Sequence, residues 1–273
     1  MAIEVKKLSD PIGAVVSGVR IQDLTASGFS EINELWLERH VLILREQSLS
    51  PSDQLNFACQ FGEPDEYPFL DGIEGYPKIT AVLKKENETI NFGGVWHTDT
   101  IYQSHPPKAS ILYAIELPPK GGDTLFANQT LAYESLDDSI KQRIKDLKAI
   151  SRSDIGSVAE TRADRIKESG KSADKLVGTH PMVRTHSETR QKSLYVSPAH
   201  TTEIVGLEKE ESNSILEVLF QHQTKEEFIG RQEWRVGDVV IWDNRSTLHF
   251  PLNDYHGHRR LLHRVTLKGE IPE

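Results

Sequence analysis

"GDVVIWDNRSTLHFPLNDYHGHRRLLHRVTL", Gly237 to Leu267, holds three short β-prone runs separated by turn-forming residues. Gly237 and Asp238 read as a turn that feeds a strand in "VVIWDN". "STLHF" follows as a second strand, ended by Pro251, and "RLLHRVTL" opens a third at Arg260. Alternation along the third run puts Arg260, Leu262, Arg264 and Thr266 on one face and Leu261, His263, Val265 and Leu267 on the other. Two arginines on one strand face, with no acidic residue between them, are costly to bury unless an anion meets them. Surface exposure is the plain alternative. An anion pocket is the sharper one, because the planar guanidinium fork matches a carboxylate.

The rest of the chain repeats this texture. "GAVVSGVRI", "HVLIL", "KITAVL", "SILYAIEL", "DTLFAN", "PMVRTH" and "SLYVS" are further short β-like runs. They are too many and too short to alternate with helices in a parallel sheet, so the fold is expected to be mainly β, a sandwich or barrel. Helices are fewer. "SPSDQLNFACQFG" has Ser50 as N-cap, Pro51 at the first helical position and Gly62 as a stop. "GFSEINELWLERH" aligns Ile32, Leu35 and Trp36, and "LEKEESNSILEVLFQHQ" aligns Leu216, Leu219 and Phe220. "ESLDDSIKQRIKDLKAI" spaces Leu136, Ile140, Ile144 and Leu147 as one further helix. These helices are expected to flank the β core. No repeat or linker divides the chain, so residues 1–273 are expected to form a single domain. Residues 151–178, charged and Ser/Gly-rich, are expected to be a surface insertion or a mobile lid over a site.

The 273 residues carry a formal charge of −9, which argues against nucleic acid as the partner. No apolar run approaches membrane-spanning length and the N-terminus has no leader-like segment, so a cytoplasmic protein is expected, with no membrane partner. The single cysteine, Cys59, forms no intramolecular disulfide and is expected to be buried as a small hydrophobe in its helix.

"GGVWHTDTIY", Gly93 to Tyr102, places His97 and Asp99 two residues apart in a β-prone run. As a strand, this turns both to one face and Thr98 to the other. Imidazole nitrogen and carboxylate oxygen together suit a divalent metal. The pair alone is weak, since such pairs are commonly hydrogen-bonded surface residues, and a third ligand is needed from among eleven histidines.

With "WHTD" at Trp96–Asp99, "GGDTLFAN" at Gly121–Asn128, "WDNR" at Trp242–Arg245 and "LHF…RRLLHR" from Leu248 to Arg264, the sequence resembles the taurine dioxygenase and 2,4-dichlorophenoxyacetate dioxygenase family of Fe(II)/2-oxoglutarate oxygenases. The match runs from "FGEP" at Phe61 to the C-terminus. The resemblance implies a double-stranded β-helix, a cupin-like jelly roll, with flanking helices. It implies that His97, Asp99 and His249 hold Fe(II) as the catalytic centre. Arg260 and the Thr124 hydroxyl would take the distal carboxylate of 2-oxoglutarate, and Arg264 would face the acidic group of the prime substrate. Two imidazoles and a carboxylate leave three metal positions open for bidentate 2-oxoglutarate and O2. The implied products are oxidised substrate, succinate and CO2.

Some positions depart from the family. "FGEPDEYPFL" has Asp65 and Tyr67 where taurine dioxygenases carry His-x-His-Pro, and Leu70 takes the place of a nearby tyrosine. Phe92, Gly93 and Gly94 replace a polar run before "WH". The pocket is therefore expected to be roomier and less polar, with Tyr67, Phe69 and Tyr102 as its substrate wall. A small organic anion with an alkyl or aryl body is expected, bound by a homo-oligomer, dimer or tetramer. His256 and His258 fall in an exposed turn, His263 points away from Arg260, and His105, His180, His186 and His200 read as loop residues. Trp96 and Trp242 read as packing near the site. A metal-dependent isomerase or hydrolase on a cupin-like barrel, or a non-catalytic acid-binding barrel, are the competing readings. The first has no use for Arg260, and the second gives no reason to keep all three ligands.

Overall fold

The computed structural model describes residues 3–156, 159, 166 and 175–273. In chain order the strands and helices are β1 (Glu4–Lys7), β2 (Ala14–Ser17), α1 (Ala26–Arg39), β3 (Val41–Leu44), α2 (Pro51–Phe61), β4 (Pro64–Asp65), β5 (Ile79–Lys84), β6 (Ala109–Glu116), β7 (Thr124–Asn128), α3 (Gln129–Glu134) and α4 (Asp138–Ile144). They continue with β8 (Lys148–Arg152), β9 (Val177–Pro181), β10 (Val183–Thr185), β11 (Lys192–Leu194), β12 (Thr201–Ile204), α5 (Lys209–His222), β13 (Ile229–Gln232), β14 (Val239–Asp243), β15 (Thr247–Pro251) and β16 (Arg260–Leu267). The architecture is mixed α/β, with several β-sheets and helices beside them.

Among the described residues the largest sheet runs β1-β2-β3-β14-β6-β16-β4, with β5 also paired to β16. The pair β2–β3 is parallel. Smaller sheets run β13-β7-β15, β12-β8-β9 and β10-β11. Strand alternation gives the large sheet two apolar faces. Leu42, Leu44, Ile111, Val239, Ile241, Val265 and Leu267 pack on one side against Ile32 and Trp36 of α1 and Phe57, Ala58 and Phe61 of α2. Val41, Ile43, Leu112, Ala114, Val240, Trp242 and Leu262 face the other way and meet Phe126 of β7. The site lies on this second face, between the large sheet and β13-β7-β15. Each fully buried side chain of this size contributes about 1.5–3 kcal/mol relative to exposure, so the helix-backed face fixes the sheet that carries the site.

Local signals explain the helices that anchor it. The Ser50 hydroxyl accepts from the Asp53 N–H at 3.2 Å while the Asp53 carboxylate accepts from the Ser50 N–H at 2.9 Å, a capping box with Pro51 behind it. Helix α1 ends at His40, whose φ of +64° turns the chain directly into β3. Gly237, at φ +86° and against the Gln47 backbone, makes the turn into β14 as the sequence suggested.

Three local expectations are corrected. Cys59 is exposed, not buried. The buried stripe of α2 is Gln54, Phe57, Ala58 and Phe61, and helical periodicity turns residue 59 away from it. The helix expected through residues 134–150 is only the short α4 (Asp138–Ile144), after α3 has ended at Glu134, and "KAISR" leaves it as β8, paired on both sides by β12 and β9. His97 and Asp99 do not lie on a strand: His97 makes an isolated bridge to His249, and Asp99 follows in a turn. Residues 151–156 and 175–178 belong to the flanks of β8 and β9. The central part of the expected lid lies outside the described residues, apart from positions 159 and 166. Among the described residues no helix is long and apolar enough to cross a membrane.

Candidate metal and anion site

His249 sits in the middle of β15, opposite Phe126 of β7. The backbones of His97 and His249 exchange two hydrogen bonds, His97 N–H to His249 C=O at 3.0 Å and His249 N–H to His97 C=O at 2.8 Å. This double bond clamps a loop residue to a strand residue and brings the imidazoles together. One ligand atom each from His97, Asp99 and His249 lies within 4.8 Å of the others, and all three residues are buried.

The hydrogen bonds around these atoms suit a metal. His97 Nδ1 lies 2.7 Å from the Val95 carbonyl, so Nδ1 carries the proton and Nε2 presents a lone pair. Asp99 is divided by its partners: Oδ2 accepts from the Ser110 hydroxyl at 2.5 Å, while Oδ1 lies 3.8 Å from His97 Nε2 and 3.9 Å from His249 Nε2. Asn244 Nδ2 donates to Ser110 Oγ at 3.0 Å, Trp242 Nε1 donates to Asn244 Oδ1 at 2.8 Å, and Thr98 Oγ1 donates to the Asn244 carbonyl at 2.9 Å. Thr98 thus turns away from its neighbours, as expected, though by a turn and not by strand alternation. Gly93, at φ +78°, leaves open the space beside the His97 ring: a Cβ there would meet Cε1 at 2.8 Å and Nε2 at 3.2 Å.

Electrostatics agree. Burial, which alone raises a carboxyl pKa, is outweighed at Asp99 by His249, Arg264, His97 and the Ser110 bond, leaving it lowered to about 2. Burial lowers His97, and burial with the neighbouring His97 lowers His249 well below the ordinary imidazole value. The carboxylate is charged and both imidazoles are neutral, the protonation states that ligate a divalent cation.

Arg260 and Arg264 line the same cavity as His97, His249 and Thr124. Arg260 is 5% exposed, and its Nε and Nη2 have no hydrogen-bond partner among the described residues. Its guanidinium lies 5.5 Å from the Trp234 ring centroid and 5.9 Å from that of Tyr255. Trp234 Nε1 donates to Thr124 Oγ1 at 3.0 Å, which leaves the Thr124 proton available to an acceptor. Gly122, at φ +75°, would bring a Cβ within 3.3 Å of Arg260 Cδ and Nε. Arg264 is 6% exposed, with Nη1 3.6 Å from Asp99 Oδ1 and its guanidinium 4.3 Å from the Tyr67 ring. Its Nε and Nη2 also have no hydrogen-bond partner among the described residues.

Tyr67, Phe69, Tyr102 and Ile166 form one buried cluster, joined by Leu70, Phe92 and Leu176. Edge-on ring pairs link Tyr67 to Phe69 at 5.7 Å, Tyr67 to Phe92 at 6.2 Å and Phe69 to Tyr102 at 6.0 Å. His200, read as a loop residue, does lie in a turn, and its buried ring stands 5.0 Å from Tyr102 and 6.3 Å from His97. Ser110, Asn244 and Trp234 escaped the sequence reading too. Only Asn244 carried a signal, as part of "WDNR". Trp242 packs on His249 at 4.7 Å and Trp96 on Phe250 at 5.6 Å, in keeping with their packing roles. His180 meets the Gln103 carbonyl and His186 meets Asp243, whose carboxylate also takes two hydrogen bonds from the buried Arg245 guanidinium. His256 and His258 are exposed, and His263 lies on the α2 side of β16, where its carbonyl accepts from Gln54.

The chain matches the family described as "Taurine catabolism dioxygenase TauD, TfdA family" over residues 4–266. It is 35% identical to an alkylsulfatase of Acinetobacter baylyi, covering 98% of this chain and 86% of the relative. The crystal structure of a taurine dioxygenase from Burkholderia xenovorans superposes with a TM-score of 0.84 at 36% identity, covering 99% of this chain and 92% of that one. AAD-2, solved with Mn(II) and N-oxalylglycine, superposes with a TM-score of 0.82 at 26% identity, covering 100% and 98%. With its buried His-Asp-His group, this chain belongs to the taurine catabolism dioxygenase TauD, TfdA family of Fe(II)- and 2-oxoglutarate-dependent dioxygenases.

Proposed function

We propose that residues 1–273 form one catalytic domain on a double-stranded β-helix, and that it oxidises a small organic anion with an apolar body. His97 Nε2, Asp99 Oδ1 and His249 Nε2 would hold Fe(II). The metal, 2-oxoglutarate and O2 together supply an oxidant for a substrate C–H bond, with succinate and CO2 released. Arg260 and Thr124 would bind the distal carboxylate of 2-oxoglutarate. Ser110 would keep Asp99 Oδ2 occupied so that one carboxylate oxygen, not two, meets the metal. Tyr67, Phe69 and Tyr102 would wall the substrate's body, and Arg264 would bind its anionic head.

The observation that carries this reading is the pair of buried guanidiniums lining one cavity with the two imidazoles. Burying a cation without a full set of partners costs several kcal/mol, so each needs its own anion. On one strand, four residues apart, they stand about 13 Å apart along the chain and cannot share one small carboxylate. One anion is the cosubstrate and the other is the substrate. Sulfonates, sulfate esters and carboxylates with alkyl or aryl bodies fit the second place, where the guanidinium lies over an aromatic ring. A lone exposed thiol at Cys59 accords with a reducing, cytoplasmic setting. The test is succinate release measured with alkyl sulfates, alkylsulfonates, taurine, aryloxyacids and uncharged analogues of matched size. Anions with an apolar body should stimulate it most. Equal turnover of the uncharged analogues would remove Arg264 from the substrate site.

A further inference from the structure

Across the β16–β5 pair, Arg260 stands directly opposite Lys84. Directly opposed residues project to the same face, with Cβ atoms about 4.5–5.5 Å apart. Lys84 is 2% exposed, and its Nζ has no hydrogen-bond partner among the described residues. The ammonium lies 4.4 Å from the centroid of the Tyr255 ring, the same ring that stands 5.9 Å from the Arg260 guanidinium. Among the described residues neither cation has a carboxylate within ion-pair distance. Asp123, whose charge is felt at Arg260, is itself held by Arg231 at 2.6 Å.

A buried lysine without an acceptor is rare, because an ammonium is a compact, strongly hydrated charge. An aromatic face compensates only part of its lost hydration. Arg260 already supplies the one positive charge that a single carboxylate requires, so a second cation facing the same ring is unexplained by that pairing. The packing there has little slack: a Cβ at Gly122 would come within 3.3 Å of both the Tyr255 ring and Arg260.

We propose that Lys84 is a second cation of the distal-carboxylate pocket, acting with Arg260 around the Tyr255 ring to make the site select a dianionic 2-oxo acid over a monoanionic one. The inference rests on the cosubstrate role of Arg260 proposed above. In a low-dielectric site an ammonium at this range adds attraction for a carboxylate that it does not touch. Its strand position fixes it relative to Arg260, so the two charges act on the same ligand end.

The test is anaerobic titration of the Mn(II)-loaded protein with 2-oxoglutarate and with 2-oxobutyrate, which lacks the distal carboxylate, read by calorimetry. Lys84→Met should weaken 2-oxoglutarate binding by about tenfold while 2-oxobutyrate changes little. Lys84→Arg, which keeps the charge, should retain most of the preference. Equal loss for both ligands in Lys84→Met would mean a packing role and overturn the proposal. So would an unchanged preference in that variant, or a preference lost as fully in Lys84→Arg. A wild-type protein that fails to prefer 2-oxoglutarate at all would instead overturn the assignment of Arg260.

Discussion

The two ends of the β16 face carry the same residue in different company. Among the described residues Arg260 is enclosed by Trp234 and Tyr255 with no carboxylate at ion-pair distance, while Arg264 leans on Asp99 and lies over Tyr67. Both are buried and both leave N–H groups unmet. One end is an aromatic cage with no carboxylate at ion-pair distance among the described residues, which favours an anion there. The other lies 3.6 Å from Asp99 Oδ1, the oxygen proposed to face the metal, so a cation arriving at the triad would change what Arg264 has to neutralise. On the roles proposed above, identical side chains on one strand would meet different ligands, and their neighbours would make the distinction.

The largest effect comes from removing what lies beside both ends. His97→Ala, Asp99→Ala or His249→Ala should each abolish metal-dependent succinate release with the fold retained. Metal stoichiometry and circular dichroism check this, and His249→Ala with unchanged stoichiometry would break the comparison by moving the metal elsewhere. Next comes the contrast itself. Arg260→Ala should cost 2-oxoglutarate binding roughly 2–5 kcal/mol, because a desolvated carboxylate loses its partner. Arg264→Ala should leave that binding nearly unchanged and erase the preference for anionic substrates. Isothermal titration of both variants decides it, and equal losses would mean that the two ends are one site.

Much of this contrast was legible in the sequence and some of it was not. "RLLHRVTL" placed both arginines on one face because strand period is local and the run is long enough to show it. Position 59 and the helix at 134–150 failed for the opposite reason. A single thiol carries too little hydrophobicity to choose a helix face, and "KAISR" became a strand only because β12 and β9 flank it. His97 and Asp99 share a site through contacts with His249 and Ser110, residues 152 and 11 positions away in the chain. Ser110 itself is invisible to pattern reading: in "SILYAIEL" it is one more small strand residue until Asp99 folds over it.

Ser110 sharpens the comparison at the metal. With its hydroxyl gone, Asp99 Oδ2 is released, and the carboxylate can swing toward bidentate ligation or toward Arg264. Ser110→Ala should weaken metal binding by about 10–100-fold, the usual cost of losing an outer-sphere partner. Ser110→Thr, which keeps the hydroxyl, should recover most of it. The visible spectrum of the Co(II) form gives a readout apart from activity, since a change in carboxylate mode alters the ligand field.

The smallest expected effect sets the site histidines against another buried one. His40 hydrogen-bonds Ser246 at 2.9 Å, and burial drives its pKa down from 6.5 to about 4, against the pull of Asp243. A depressed histidine pKa means that the unfolded chain takes up the proton first. Its contribution to stability is therefore complete above pH 6.5 and declines as the pH falls towards 4. At pH 5 the loss from this group should be about 2 kcal/mol, a few degrees in melting temperature for a chain of this size. His97 and His249, also lowered by burial, add to the same acid sensitivity, because the unfolded chain protonates them first. Metal bound by the folded chain holds them unprotonated, so it should raise the melting temperature at both pH values without removing this sensitivity. Melting curves at pH 7 and pH 5 for the wild type and for His40→Gln isolate the share that belongs to His40. A drop in melting temperature on acidification that is unchanged in His40→Gln would show that His40 contributes nothing and that other groups account for it.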